Sequence, residues 1–191
     1  MWIAVDDLHW AHQPRNYVFA LAATSWGVDL IDLFGVTGRA DSGTLEHAWQ
    51  QDFPGNPAWH PDYWEQPEAF GVTSIPAAVS WNDPQEIVVL YCLPSGLSGS
   101  GVGMTRWLGR HWVRNVLYQQ GSAGDGVGDG VLSYAALVSW EAKRLDAFWI
   151  RGPSVPQQLT DLRLQHGWNT VGGKLADWVW EDFAVAWPSL D

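Results

Sequence analysis

Asp7, Glu46 and Asp161 each stand three residues before the residue that ends a short strand-like segment, at Trp10, Trp49 and Leu164; in a fourth such segment Met104 takes the acid's place before Trp107. A carboxylate beside an indole is equipment for holding a sugar. The carboxylate accepts hydrogen bonds from two neighbouring hydroxyls, while the indole stacks on the C–H face of the ring. More aromatic side chains suited to that role stand beside polar, loop-forming residues, where a ring stays partly wet: Trp59, Tyr63, Trp64, Trp112, Trp168 and Trp178. Glu46 with Trp49, Trp59 and Trp64 makes the best-equipped candidate site.

Other chemistries are less well supplied. His9 and His12 are the one close histidine pair, and a spacing of three on a strand sends them to opposite faces, so no metal site is expected. Asp6, Asp7, Asp29 and Asp32 could line a channel, but solvated strand-end acids are the simpler reading. Glu46, Asp62 and Glu65 could supply the paired carboxylates of glycoside cleavage, yet any acidic chain offers such pairs. No glycine-rich loop follows a strand and opens a helix, so no phosphate cradle or nucleotide cofactor is expected. The reading from these residues is binding without catalysis.

The elements that position these residues are written in repeats. LAATSW at 21–26, PAAVSW at 76–81, AALVSW at 135–140 and the degenerate FAVAW at 183–187 are copies of one strand, and their tryptophans lie 55, 59 and 47 residues apart. A period near 50 without helical patterning is that of propeller blades. Each full copy is followed by a second strand (VDLIDLFGV, QEIVVLYCL, KRLDAFWI) after a hairpin-length link, then by a third (TLEHAWQ, MTRWLG, LTDLRLQ). A less regular fourth strand (WHPDYWEQPEAFG, HWVRNVLYQQG, GWNTVGGKLADWVW) closes the unit.

The sequence therefore predicts an all-β propeller of four-stranded antiparallel blades in a single domain, 1–191. The repeats run over about 20–75, 76–133 and 134–182, and a unit split between the termini, 183–191 plus 1–19, makes about four blade-equivalents. Sharing a blade in this way pairs two edges that would otherwise recruit other chains. Trp26, Trp81 and Trp140, at the ends of the innermost strands, are expected to pack between blades. GSAGDGVGDG, 121–130, is expected to be a loop.

Charge narrows the partners. A net charge of −11 and a pI near 4.7 leave no basic stripe for nucleic acid. No apolar run reaches the roughly 18 residues of a membrane helix, so no membrane insertion is expected. MWIAVDDLHW carries acids where a secretion signal carries bases, which fits a cytoplasmic or non-classically secreted protein. Cys92, in the apolar run VVLYCL, reads as a buried thiol.

AALVSWEAKRLDAF, 135–148, and TLEHAWQ, 44–50, carry a family likeness. The pattern of a first strand ending in SW, a second strand with L-D-x-F and a third ending in W resembles the repeat of Photorhabdus-type propeller lectins. More distantly it is similar to the blade of the Aleuria-type fungal fucose lectins. The resemblance implies a multivalent, non-catalytic lectin for fucosylated or O-methylated glycans, with one site between each pair of blades and avidity from their number. It also implies a sugar-binding role for Glu46, and by extension for Asp7 and Asp161. Where the fungal repeat places an arginine, this chain has Asp32, Val88 and Asp146. Closure of the ring between two copies, a homodimer, is part of the same expectation. The alternatives are a glycan-active hydrolase or lyase with one acidic pocket, and a propeller scaffold for protein contacts.

Overall fold

In a computed structural model, the described residues are 21–27, 30–39, 42–53, 56–59, 70–81, 86–96, 99–119, 129–131, 134–141, 144–153, 162–169 and 178–184, and their regular elements are all strands. The first sheet holds β1 (Leu21–Gly27), β2 (Leu30–Thr37), β3 (Gly43–Phe53) and β4 (Asn56–Trp59) in order, with β5 (Phe70–Val72) pairing the start of β3. The second runs β6 (Ala77–Trp81), β7 (Glu86–Gly96), β8 (Gly99–Leu108), β9 (Trp112–Gln119). In the third, β10 (Asp129–Val131) and β11 (Ala136–Glu141) both pair with β12 (Arg144–Pro153), which is followed by β13 (Arg163–Asn169) and β14 (Val179–Ala184). All neighbours are antiparallel. These are the expected antiparallel blades, with a fifth short strand in the first and third sheets.

The innermost strands β1, β6 and β11 lie beside one another, and the Ser80 backbone N–H donates to Thr24 Oγ1 at 2.9 Å across the first two. Two cores seal the two junctions. Phe34, Val36 and Leu45 of the first sheet meet Ile87, Val89, Tyr91 and Trp112 of the second. Val88, Leu90, Val102 and Met104 of the second meet Leu145, Ala147 and Trp149 of the third. Each such side chain contributes about 1.5–3 kcal/mol on burial. The run EIVVLYCL does not alternate because β7 is covered on both faces, whereas β12 alternates because Leu145, Ala147 and Trp149 face the second sheet and Asp146 and Phe148 face away.

Several boundaries differ from those read in the sequence, among them the fourth strands, which are Asn56–Trp59 in the first unit and Val179–Ala184 in the third. The third strand of the third unit is Arg163–Asn169, not LTDLRLQ, so Trp168 and not Leu164 is the counterpart of Trp49: Asp32 pairs with Trp49 and Asp146 with Trp168. Phe183 and Ala184, read as the opening of a split blade, end β14 instead, because Leu164 and Arg163 supply them with strand partners. Asp129 and Gly130, read as loop, begin a short strand on β12. Gly167 allows the β13–β14 approach, since a Cβ there would come within 1.9 Å of the Trp180 ring. The remainder of the split unit, 1–19 and 185–191, lies outside the described residues.

Candidate functional site

The site expected around Glu46 does not assemble. Glu46 is buried and accepts a hydrogen bond from Thr37 Oγ1 at 2.7 Å; it pairs with Gly35, so it lies on the Thr37 face of the sheet. Trp49, three residues on, falls on the opposite face with Asp32 and Phe34, as period-two alternation requires. Trp112 is buried in the first junction with half-buried Trp107 packed on it at 5.5 Å, and Trp178 is buried in the second. Neither Trp112 nor Trp178 offers a face to a ligand. Trp59 ends β4, with its side chain outside the described residues; Asp7, Trp10, Tyr63, Trp64 and Asp161 also lie outside them. Trp81 is 3% exposed, as an inter-blade residue should be, but Trp140 is 69% exposed.

Trp140 belongs to a cluster centred on Asp146 and His166. Strand pairing sets Phe148 and Glu181 on either side of His166, and an irregularity between Ser139 and Glu141 sets the position of Trp140 at the end of β11. Asp146, 3% exposed, accepts from Trp140 Nε1 at 2.6 Å, from His166 Nε2 at 2.9 Å, and from Arg144 through Nε and Nη2, each at 3.1 Å in its shorter contact. The Arg144 guanidinium lies over the Trp140 ring at 4.8 Å and 6.0 Å from that of Trp168. Phe148 stacks on the imidazole at 4.4 Å, nearly parallel. On its far side, His166 Nδ1 lies 2.6 Å from Glu181 Oε1, and the Glu181 side chain is 41% exposed.

Electrostatics fixes where the hydrogens sit. Burial pushes the Asp146 carboxyl up, but hydrogen bonds from Arg144, His166 and Trp140, with the Arg144 charge, outweigh it and hold the group below the usual carboxylate range. An ionised Asp146 can only accept, so His166 Nε2 carries a hydrogen. The 2.6 Å contact at Nδ1 then needs a proton between ring and carboxyl, because an imidazole lone pair and a carboxylate would repel. Asp146, His166 and Glu181 thus form one hydrogen-bonded chain from a buried carboxylate to a partly exposed carboxyl. Among the described residues no group of three or more His, Cys, Asp or Glu is arranged to hold a metal ion.

The first sheet carries the same pair in the same register. Asp32 Oδ1 lies 2.6 Å from His47 Nε2 and Phe34 stacks on the ring at 4.8 Å, but Trp112 of the second sheet closes over both rings, edge-on at 5.7 and 5.2 Å. In the second sheet the four positions are Val88, Leu90, Met104 and Arg106; Arg106 pairs with Glu86 at 2.5 Å and lies over Trp81. His47 and His166 escaped the sequence reading. Their signal was there: D-x-F on the second strand with H-x-W on the third, in IDLF with EHAW and LDAF with QHGW.

No protein-family model and no curated protein matches the chain. Among solved structures it is similar to the endo-arabinase from Bacteroides thetaiotaomicron VPI-5482, at 14% identity and a TM-score of 0.54, over 94% of this chain and 64% of that one. The chain spans less than two thirds of that structure's length, and a likeness at this identity concerns the fold. In that protein the fold belongs to a glycan-cleaving enzyme. This finding overturns the expectation of a non-catalytic lectin and brings the hydrolase alternative forward.

Proposed function

We propose that the chain is a glycan-active hydrolase whose chemistry lies on the open face of the third sheet. The observation that carries this reading is the hydrogen-bonded chain Asp146–His166–Glu181 beside an indole that is largely uncovered. Glu181 is the acid: its carboxyl is reachable from solvent and held by His166 Nδ1, so it is placed to protonate a glycosidic oxygen as the bond to the sugar breaks, while water adds to the anomeric carbon and returns its proton to Glu181. Positioned proton transfer of this kind contributes roughly 10²–10⁴-fold in rate. Asp146 stays ionised and fixes the ring that serves Glu181. Trp140 offers its face to the sugar while Arg144 stacks on the ring.

The chain's net charge of −11 repels polyanionic glycans, so the substrate is a neutral polysaccharide. The fold likeness to an endo-arabinase makes an arabinose polymer the first to try. The test is release of new reducing ends from arabinan and other neutral polysaccharides, with polygalacturonate as the charged control. Release from a neutral polymer is the expected result; a chain that cleaves none of them is not a glycan hydrolase.

A further inference from the structure

We infer that Trp140 is at once the platform for the sugar and a positioning residue for Glu181, so that one side chain couples substrate stacking to the placement of the acid. The inference rests on the hydrolase reading above. Two observations carry it. Trp140 is 69% exposed although its repeat counterpart Trp81 is 3% exposed, so its ring is not spent on the core. Its Nε1–H nevertheless donates to buried Asp146 at 2.6 Å, the shortest of that carboxylate's bonds, and Asp146 in turn orients His166.

The coupling runs through hydrogen bonds. Among the described residues, the charged and titratable groups against His166 are Asp146 from β12 and Glu181 from β14, with Arg144 acting through Asp146; Phe148, Trp168 and Phe183 supply rings. Three donors hold Asp146: Trp140 Nε1, His166 Nε2 and the Arg144 guanidinium. Losing the indole N–H frees the carboxylate to turn toward Arg144, and His166, held by Asp146 at Nε2 and by Glu181 at Nδ1, shifts with it. A sugar stacked on Trp140 fixes the indole in the orientation that keeps its N–H on Asp146. Binding therefore holds Glu181 in place through the ring.

Trp140→Phe keeps a ring to stack on and deletes the N–H; Trp140→Ala deletes both. With a polysaccharide the wild type cleaves, Trp140→Phe is expected to lower kcat about tenfold or more, with KM nearly unchanged and the pH–rate profile shifted. Trp140→Ala should raise KM as well. A rise in KM alone for Trp140→Phe overturns the positioning role. Independently of turnover, 15N NMR of His166 in the folded wild type should show a hydrogen on Nε2, where it donates to Asp146, with altered ring-nitrogen shifts in both variants. Wild-type shifts in Trp140→Phe overturn the coupling whatever the activity. Altered shifts together with a wild type that cleaves no glycan overturn the hydrolase reading and the platform role, and leave the positioning role standing.

Discussion

The Asp32–His47 pair of the first sheet and the Asp146–His166 pair of the third are built alike and used differently. Both join the second strand to the third, and both are backed by a stacked phenylalanine, Phe34 or Phe148. The difference is what faces the ring. Trp112 seals the first pair inside a blade junction, where His47 Nδ1 is buried without a hydrogen-bond partner. In the third the same nitrogen meets Glu181, and the indole beside the pair is open to solvent. Both pairs are themselves buried; the third gains chemistry because a second, partly exposed carboxyl meets its ring and an exposed indole lies beside it. The second sheet shows that the repeat can also do without the pair, using Val88 and Met104.

That comparison can be broken at its structural half. Asp146→Val alone strands His166 and Arg144 beside an apolar group and should cost about 3–5 kcal/mol in chemical denaturation. Adding His166→Met, which copies the second sheet, should recover most of the loss because the buried imidazole leaves with the carboxylate, while Arg144 and Trp140 remain within reach of water. No recovery would mean that the pairs are not interchangeable fastenings. Gly167→Ala should cost about 1–3 kcal/mol, since the Trp180 ring must shift to admit a methyl group, although the first sheet carries Ala48 at the matching position.

Smaller effects sharpen it. Because the Asp146 carboxyl is held below its ordinary range, its contribution to stability is complete above the unfolded value of about 3.9 and is lost as pH falls through the lower folded value. The melting temperature of the wild type should therefore fall more steeply on acidification than that of Asp146→Val/His166→Met; parallel curves would remove Asp146 from the acid limb. Glu46→Gln should cost about 1 kcal/mol or less through its bond to Thr37 and leave glycan cleavage unchanged, because Glu46 lies in the first sheet and the Asp146–His166–Glu181 chain in the third.

Much of the fold was legible because it was written three times: SW at the end of each inner strand, β-branched and aromatic second strands, and short hairpin links. The unbroken apolar run of β7 reflects its place between two neighbours. The site was less legible for a physical reason. Asp146, His166 and Glu181 come from three strands, and only register brings them together. Period-two alternation separates Glu46 from Trp49, so the acid-before-tryptophan pattern was misleading on its own terms. The third strand of the third unit was read four residues early, which hid the match between EHAW and QHGW. Trp81 and Trp140 share the dipeptide SW, and one is core while the other is open, because burial depends on the adjoining sheet and not on the strand itself.

The difference between the two histidine sites is tested most directly by comparing reducing-end release from a cleaved polysaccharide for the wild type, Glu181→Gln and His47→Gln. The expected result is a loss of roughly 10²–10⁴-fold for Glu181→Gln with its melting temperature nearly unchanged, and retained cleavage with a lowered melting temperature for His47→Gln. Wild-type cleavage by Glu181→Gln would show that the open face of the third sheet is not where the chemistry occurs.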